Sequence, residues 1–152
     1  MTIKVKTEQL GIKGSIEVKA TAGLVDEANL VLIKLLGDDV KMPAEKELSD
    51  DEFNALSDDG KEEYTAQKNK EVVNLAKLEH DTMQAMFDFI QGSLKLTDKQ
   101  IKKVKYGLTQ AEIGEYLGYL IGRIKGQSDE DLELEKTVEE RKREEEKDPK
   151  KD

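Results

Sequence analysis

The single histidine of the chain, His80, lies between two carboxylic acids in the segment LEHDTM. Histidine with carboxylates is the residue set of general acid–base catalysis and of many metal sites. Here the three residues are consecutive, and consecutive helix positions diverge by about 100°. Glu79, His80 and Asp81 therefore cannot converge on one ion or one substrate atom, and we expect an exposed helix histidine.

Other patterns for bound ions or phosphates are incomplete. SDDGKEEY contains acids and a glycine without the ligand spacing of a calcium loop. GYLIGRIKG contains glycines without the lysine–hydroxyl pair of a phosphate-binding loop. Cysteine is absent, which excludes thiolate zinc sites and cysteine nucleophiles. We predict that the chain is not an enzyme and has no metal, cofactor or catalytic residue.

The segment EIGEYLGYLIGRIKG carries a glycine at every fourth position. Glycine inside a helix costs about 1 kcal/mol relative to alanine, so the stripe formed by Gly114, Gly118 and Gly122 needs a reason. The stripe packs against a helix of the same chain, or the helix is weak and frays, or the stripe receives a helix from another chain. Tyr116 and Tyr119 flank the stripe, and tyrosine is favoured at partly wet interfaces.

A methionine-rich face precedes this segment. Met83, Met86 and Phe87 are core residues by default, but methionine-rich faces also adapt to varied partners. If the glycine stripe and the methionine-rich face both contact another chain, the predicted partner-binding residues are Gly114, Tyr116, Gly118, Tyr119, Gly122, Met83, Met86 and Phe87.

The charge balance limits the choice of partner. The chain has 34 acidic and 25 basic residues and a net charge of -9, which argues against binding to duplex DNA. Lysines 99, 102, 103 and 105 form a small basic patch, which we interpret as a solvated helix flank. MTIKVKTEQL lacks the apolar region of a secretory signal, and no apolar run is long enough to cross a bilayer. We predict a cytoplasmic protein that binds neither nucleic acid nor membrane.

The first predicted element is a β-hairpin over residues 1–22. TIKVK and SIEVKA alternate between apolar and polar residues, and Gly11 and Gly14 between them supply turn geometry. The next segment, GLVDEANLVLIKLLGDD, is apolar on nearly all sides. That pattern favours a buried central helix, with a buried strand as the competing interpretation.

Further helices are predicted up to residue 126. A long one extends from about residue 61 to 92, and its polar first half either projects or packs only through Tyr64. Capping boxes are predicted for Ser49 with Glu52, Thr97 with Gln100 and Thr109 with Glu112. The expected fold is mainly α: residues 1–126 form one domain, in which the hairpin packs on a helical bundle over 23–126.

Residues 127–152 change in composition. Their sizeable apolar side chains are Leu132, Leu134 and Val138, and the rest is mostly charged. We predict a charged tail that is flexible or partly helical and can fold on binding a partner.

This plan resembles the tail assembly chaperones of long-tailed bacteriophages. The likeness lies in the lysine-rich strand pair TIKVK and SIEVKA, the helical body, and the charged end EERKREEEKDPKKD. The resemblance implies a homo-oligomer, a ring or a spiral, around a long helical tape-measure protein in the cytoplasm of the infected host. Members of that family coat the tape-measure protein before the tail tube forms around it.

Two other functions stay open on the residues alone. The acidic composition fits a mimic that occupies a nucleic-acid-binding protein. An enzyme that uses carboxylates alone is the third hypothesis.

Overall fold

The computed structural model describes residues 1–40 and 47–147 and is 76% helical. Two antiparallel strands at the N-terminus pack against helices, so the predicted fold class is confirmed. The strands are β1 (Thr2–Lys6) and β2 (Ser15–Lys19), with a single turn of 3₁₀ helix between them. The helices are α1 (Ala22–Val40), α2 (Asp50–Asn54), α3 (Asp58–Leu94), α4 (Asp98–Gly107), α5 (Gln110–Ile124) and α6 (Asp129–Lys147).

The hairpin follows the predicted alternation. Ile3 pairs with Val18 and Val5 with Ile16, and both β1 side chains are buried. Gly11 and Gly14 have positive φ angles of 78° and 91°, which glycine adopts readily. A two-stranded sheet is marginal alone, so this hairpin depends on the helices for its stability.

The chain divides into two compact units, the first formed by Met1–Leu30 and Phe87–Asp152. Its buried core combines the inward face of the hairpin with the apolar stripes of the end of α3, α4 and α5. Its largest fully buried apolar side chains are Val5, Ile90, Leu94, Val104, Ile113, Tyr116, Leu117 and Leu120.

The second unit, Val31–Met86, contains the polar first half of α3. Tyr64 accepts a hydrogen bond from the Leu48 N–H at 3.2 Å, and its ring centroid lies 5.7 Å from that of Phe53. Through Tyr64, this half of α3 thus contacts residue 48 and α2.

The segment predicted as a buried central helix is a helix, α1, but the prediction of burial is wrong for much of its length. Leu30, Ile33 and Leu36 are 59%, 66% and 65% exposed. A helix that is apolar on nearly all sides needs covering elements all round, and the described residues leave more than half of each of these three side chains exposed.

Two predicted capping boxes are complete. The Thr97 hydroxyl accepts from the Gln100 N–H at 3.2 Å, and the Gln100 side chain accepts from the Thr97 N–H at 2.9 Å. Thr109 and Glu112 repeat the arrangement at the start of α5. At α2 only the forward bond forms, from the Glu52 N–H to the Ser49 hydroxyl.

Gly126 ends α5 and redirects the chain into α6. Its φ angle is 102°, and the Gln127 N–H donates to the Gly122 carbonyl at 2.9 Å while the Gly126 N–H donates to the Arg123 carbonyl at 3.1 Å. This pair of bonds is the Schellman ending that favours glycine. Within the predicted tail 127–152, helix α6 covers Asp129–Lys147. The domain boundary at residue 126 stays a prediction.

Candidate partner-binding groove

One face of α5 closes the free edge of β1. Tyr116 donates its hydroxyl to the Lys6 carbonyl at 2.8 Å, and the Lys6 N–H donates to the Tyr119 hydroxyl at 3.1 Å. Arg123 donates to the Lys4 carbonyl at 2.9 Å. An open strand edge is a template for pairing with other chains, and here side chains at positions i, i+3 and i+7 of α5 satisfy three of its backbone groups.

Tyr116 is therefore committed to the interior. Its side chain is 1% exposed, and burial raises the pKa of its hydroxyl. The hydroxyl stays protonated and donates to the hairpin, and the ring is not available at the surface for a partner.

A polar cluster around Asp129 anchors the start of α6. The Tyr119 hydroxyl donates to Asp129 Oδ1 at 2.8 Å. Arg123 Nε lies 3.2 Å from the same oxygen, an ionic contact without hydrogen-bond geometry, and another Arg123 nitrogen donates to the Gln127 carbonyl at 2.8 Å. Burial raises the pKa of Tyr119, which keeps this hydroxyl a donor.

Arg123 and Asp129 were absent from the set predicted from the sequence. A signal for Arg123 exists, because it lies on the same helical face as the two tyrosines. Asp129 follows a glycine turn, whose direction the sequence pattern does not give.

The glycines of α5 have two different environments. A Cβ at Gly122 would lie 2.6 Å from Leu132 Cδ2 and 2.7 Å from Gln127 Oε1, so α6 fills this notch. At Gly114 and Gly118 nothing lies within 4 Å of the Cβ position. Packing within the chain therefore explains Gly122, and it does not explain the other two.

Gly114 and Gly118 line a cavity of about 470 Å³ between α5 and α6, which we call the α5–α6 groove. One turn of helix, taken as a cylinder about 10 Å wide, fills roughly 400 Å³, so the groove has room for about one turn. The charged residues lining it are six acids (Glu115, Asp129, Glu133, Glu135, Glu139 and Glu140) and three bases (Lys6, Lys136 and Arg143). An occupant with a positive charge fits this excess of acid.

The methionine-rich face does not contribute to this groove. Met86 is buried, Met83 and Phe87 are half-buried, and none of the three lines the groove. The Lys105 ammonium lies 5.3 Å from the centroid of the Phe87 ring. Gly114, Gly118 and Tyr119 are thus the members of the predicted set that the structure brings together at one open surface.

His80 is exposed, as the sequence predicts. Among the residues that the structure describes, no three metal-ligating side chains converge. No helix in the described ranges has both the length and the apolar character to cross a bilayer.

The fold defines a small acidic helical protein whose distinctive surface is the open α5–α6 groove. The model of the phage tail assembly chaperone proteins (TAC) matches residues 67–142, half of the chain, and covers most of α3, all of α4 and α5, and most of α6. The chain belongs to this family, and the family supports a role as a tail assembly chaperone. No curated protein and no solved structure shows a significant match to the chain.

Membership places the protein's role in the assembly of phage tails inside the host cell and implies interaction with phage tail proteins. It also agrees with the prediction that the chain is not an enzyme, since tail assembly chaperones generally have no catalytic activity.

Proposed function

We propose that this chaperone associates with copies of itself and binds a long helical tape-measure protein in the cytoplasm of the infected cell. The family match supports the assembly role. The choice of client and the self-association rest on the open groove and on exposed apolar side chains.

The α5–α6 groove is the observation that carries the proposal. Gly114 and Gly118 together cost about 2 kcal/mol of helix stability relative to alanine. No atom of the described chain uses the space that they leave. A helix of another chain can approach closely where side chains are missing, so binding gives these two glycines a function that intramolecular packing does not.

The proposed contact residues are Gly114 and Gly118, with Tyr119 beside them. Tyr119 is partly exposed, and its hydroxyl is already fixed by Lys6 and Asp129. A preorganised aromatic side chain loses little entropy when it contacts a partner. Tyr116 and Gly122 then act as supports that hold the groove in shape.

Exposed apolar side chains in the second unit support self-association or a second client contact. Ile33 and Leu36 of α1 are exposed, as are Val72, Val73 and Leu75 of α3. Burying these five side chains in an assembly would be favourable, because it removes apolar surface from water.

Weak repeated contacts suit the proposed client. A long filament offers many similar helical turns, and an oligomer of chaperones binds several of them at once. Linked weak sites give strong overall binding through effective concentration, while each single contact still dissociates quickly. Such a coat holds an extended client and releases it stepwise.

Co-expression with overlapping tape-measure fragments tests the proposal. We expect wild-type chaperone to co-purify with at least one helical fragment and to elute as an oligomer, with mass measured by light scattering. Gly118→Leu fills the groove and should abolish co-purification. Gly92→Leu is the matched control, because Gly92 is also an exposed helical glycine with nothing within 4 Å of its Cβ position.

The proposal fails if wild-type protein is a monomer that retains no fragment. The groove assignment alone fails if Gly118→Leu and Gly92→Leu both retain the client.

A further inference from the structure

The outward face of α4 is basic and ends in an exposed aromatic ring. Lys99, Lys102, Lys103 and Tyr106 occupy positions i, i+3, i+4 and i+7, so they share one side of the helix. The three lysines are exposed and Tyr106 is 83% exposed. Ile101 and Val104 are buried and lie on the opposite side of the helix.

This face has no counter-charge of its own. Within the described residues none of its three lysines forms an ion pair, although acids outnumber bases in the chain by 34 to 25. Scattered solvated lysines need no explanation. The exposed tyrosine is the less usual feature, because tyrosine is enriched at interfaces, and charged side chains beside it suit the polar rim of such a contact.

The outward face of α6 has the complementary character. Leu134 and Val138 lie one turn apart and are 65% and 43% exposed. Glu130 and Asp131 precede them on the same side of the helix. The other side of α6 contacts α5 through Leu132, so within the described residues Leu134 and Val138 stay largely uncovered.

The two faces match in length and in order along the helix. Residues 99–106 span about 10 Å and residues 130–138 about 12 Å. In a parallel arrangement the lysines of α4 oppose Glu130 and Asp131, and Tyr106 opposes Leu134 and Val138. An antiparallel arrangement would bring the lysines toward Arg141 and Lys142, where like charges repel.

We infer that the lysine face of α4 in one copy docks in parallel on the outward face of α6 in the next copy. The inference rests on the proposed self-association and names one of its contacts. Because the two faces differ, the contact is heterologous, and repeating it produces a ring if the rotation closes and an open spiral if it does not. The α5–α6 groove lies on the opposite side of α6 and stays open for a client.

A charge swap tests the contact. Lys102→Glu with Lys103→Glu makes the α4 face acidic, and Glu130→Lys with Asp131→Lys makes the acidic end of the α6 face basic while Leu134 and Val138 stay in place for Tyr106. We expect each double variant alone to be a monomer in sedimentation velocity, with its association constant lowered at least about tenfold. An equimolar mixture should regain assembly, because each variant then finds the opposite charge on the other.

Lys13→Glu with Lys19→Glu is the matched control. It changes the net charge as much as the α4 variant does, at two exposed lysines of the hairpin region, and it should assemble as wild type. Circular dichroism confirms that each variant is folded before it is compared.

A mixture that stays monomeric overturns the inference, and so does an α4 variant that assembles as well as the control. Salt-sensitive binding of wild-type protein to duplex DNA or polyglutamate, with unchanged assembly of the α4 variant, would assign the lysines to another acidic partner and also overturn it. If the inference fails in one of these ways but the wild-type protein still binds tape-measure fragments, the proposed function is still supported. Wild-type protein that neither assembles nor binds a tape-measure fragment would contradict the proposed function.

Discussion

Replacing single glycines of α5 by alanine separates the two environments of the stripe. At Gly118 an added Cβ meets nothing within 4 Å, and the residue is helical with no positive φ angle. Alanine should therefore raise the free energy of unfolding by about 1 kcal/mol, the difference in helix propensity. For a chain of this length the melting temperature should rise by roughly 2–4 °C.

At Gly122 the same gain is opposed by a clash. The new Cβ would lie 2.6 Å from Leu132 Cδ2 and 2.7 Å from Gln127 Oε1. Both atoms end flexible side chains and move away, so Leu132 leaves its notch. Complete burial of a leucine stabilises by about 1.5–3 kcal/mol. Since Leu132 is half-buried, its loss costs about 1 kcal/mol, and the net change in stability should be near zero.

Urea unfolding followed by circular dichroism measures both changes, and hydrogen exchange of residues 129–140 reports whether α6 stays attached. Gly122→Ala should speed exchange in α6, and Gly118→Ala should not. In a background that carries both Leu132→Ala and Gln127→Ala the two clashing side chains are gone, so Gly122→Ala should become stabilising by about 1 kcal/mol. Equal stabilisation by both substitutions, with α6 exchange unchanged, would refute the contact between Leu132 and Gly122.

Three further predictions concern stability. Folding raises the pKa of Tyr116 above its unfolded value of about 10. Its contribution to the free energy of unfolding is therefore complete below about pH 10 and is lost as the pH rises toward the folded pKa. Urea unfolding at pH 8 and pH 10.5 should show a smaller loss of stability at the higher pH in Tyr116→Phe than in wild type. Thr109→Ala removes the capping box of α5 and should lower the unfolding free energy by about 1 kcal/mol, and an unchanged urea midpoint would contradict that role. Ile90 is fully buried, so Ile90→Ala should lower the free energy of unfolding by about 2–5 kcal/mol, as other large-to-small core substitutions do. Ile33 is 66% exposed, so Ile33→Ala should change the melting temperature little and should weaken self-association instead.

The hairpin and the helix starts could be predicted because their signals are local. Alternation of apolar residues sets the face of a strand, and a threonine followed three residues later by glutamine or glutamate sets a helix start. Both patterns lie within a few residues, so Thr97 and Thr109 begin their helices as expected.

Contacts between elements could not be predicted in the same way. Leu132 is one apolar residue in a charged segment, and whether it packs depends on the turn at Gly126 and on the missing side chain at Gly122. The exposure of Ile33 and Leu36 escaped prediction for a related reason. Periodicity shows that a helix is apolar on many sides, but it does not show what covers each side.

The groove was predictable only in part. A glycine at every fourth position predicts a helix face without side chains. The sequence does not show which of these glycines contacts the same chain and which lines the open groove. The division depends on where α6 crosses α5, which the structure places at Gly122.

Binding of a helical tape-measure fragment to three proteins, measured by fluorescence anisotropy, tests most directly whether the open space at Gly114 and Gly118 receives a client. Wild-type protein and Gly92→Leu should bind with the same affinity. Gly118→Leu should bind at least about tenfold more weakly while its helical circular dichroism is unchanged. Equal affinity of all three proteins would contradict the account, because a leucine in the α5–α6 groove would then exclude nothing.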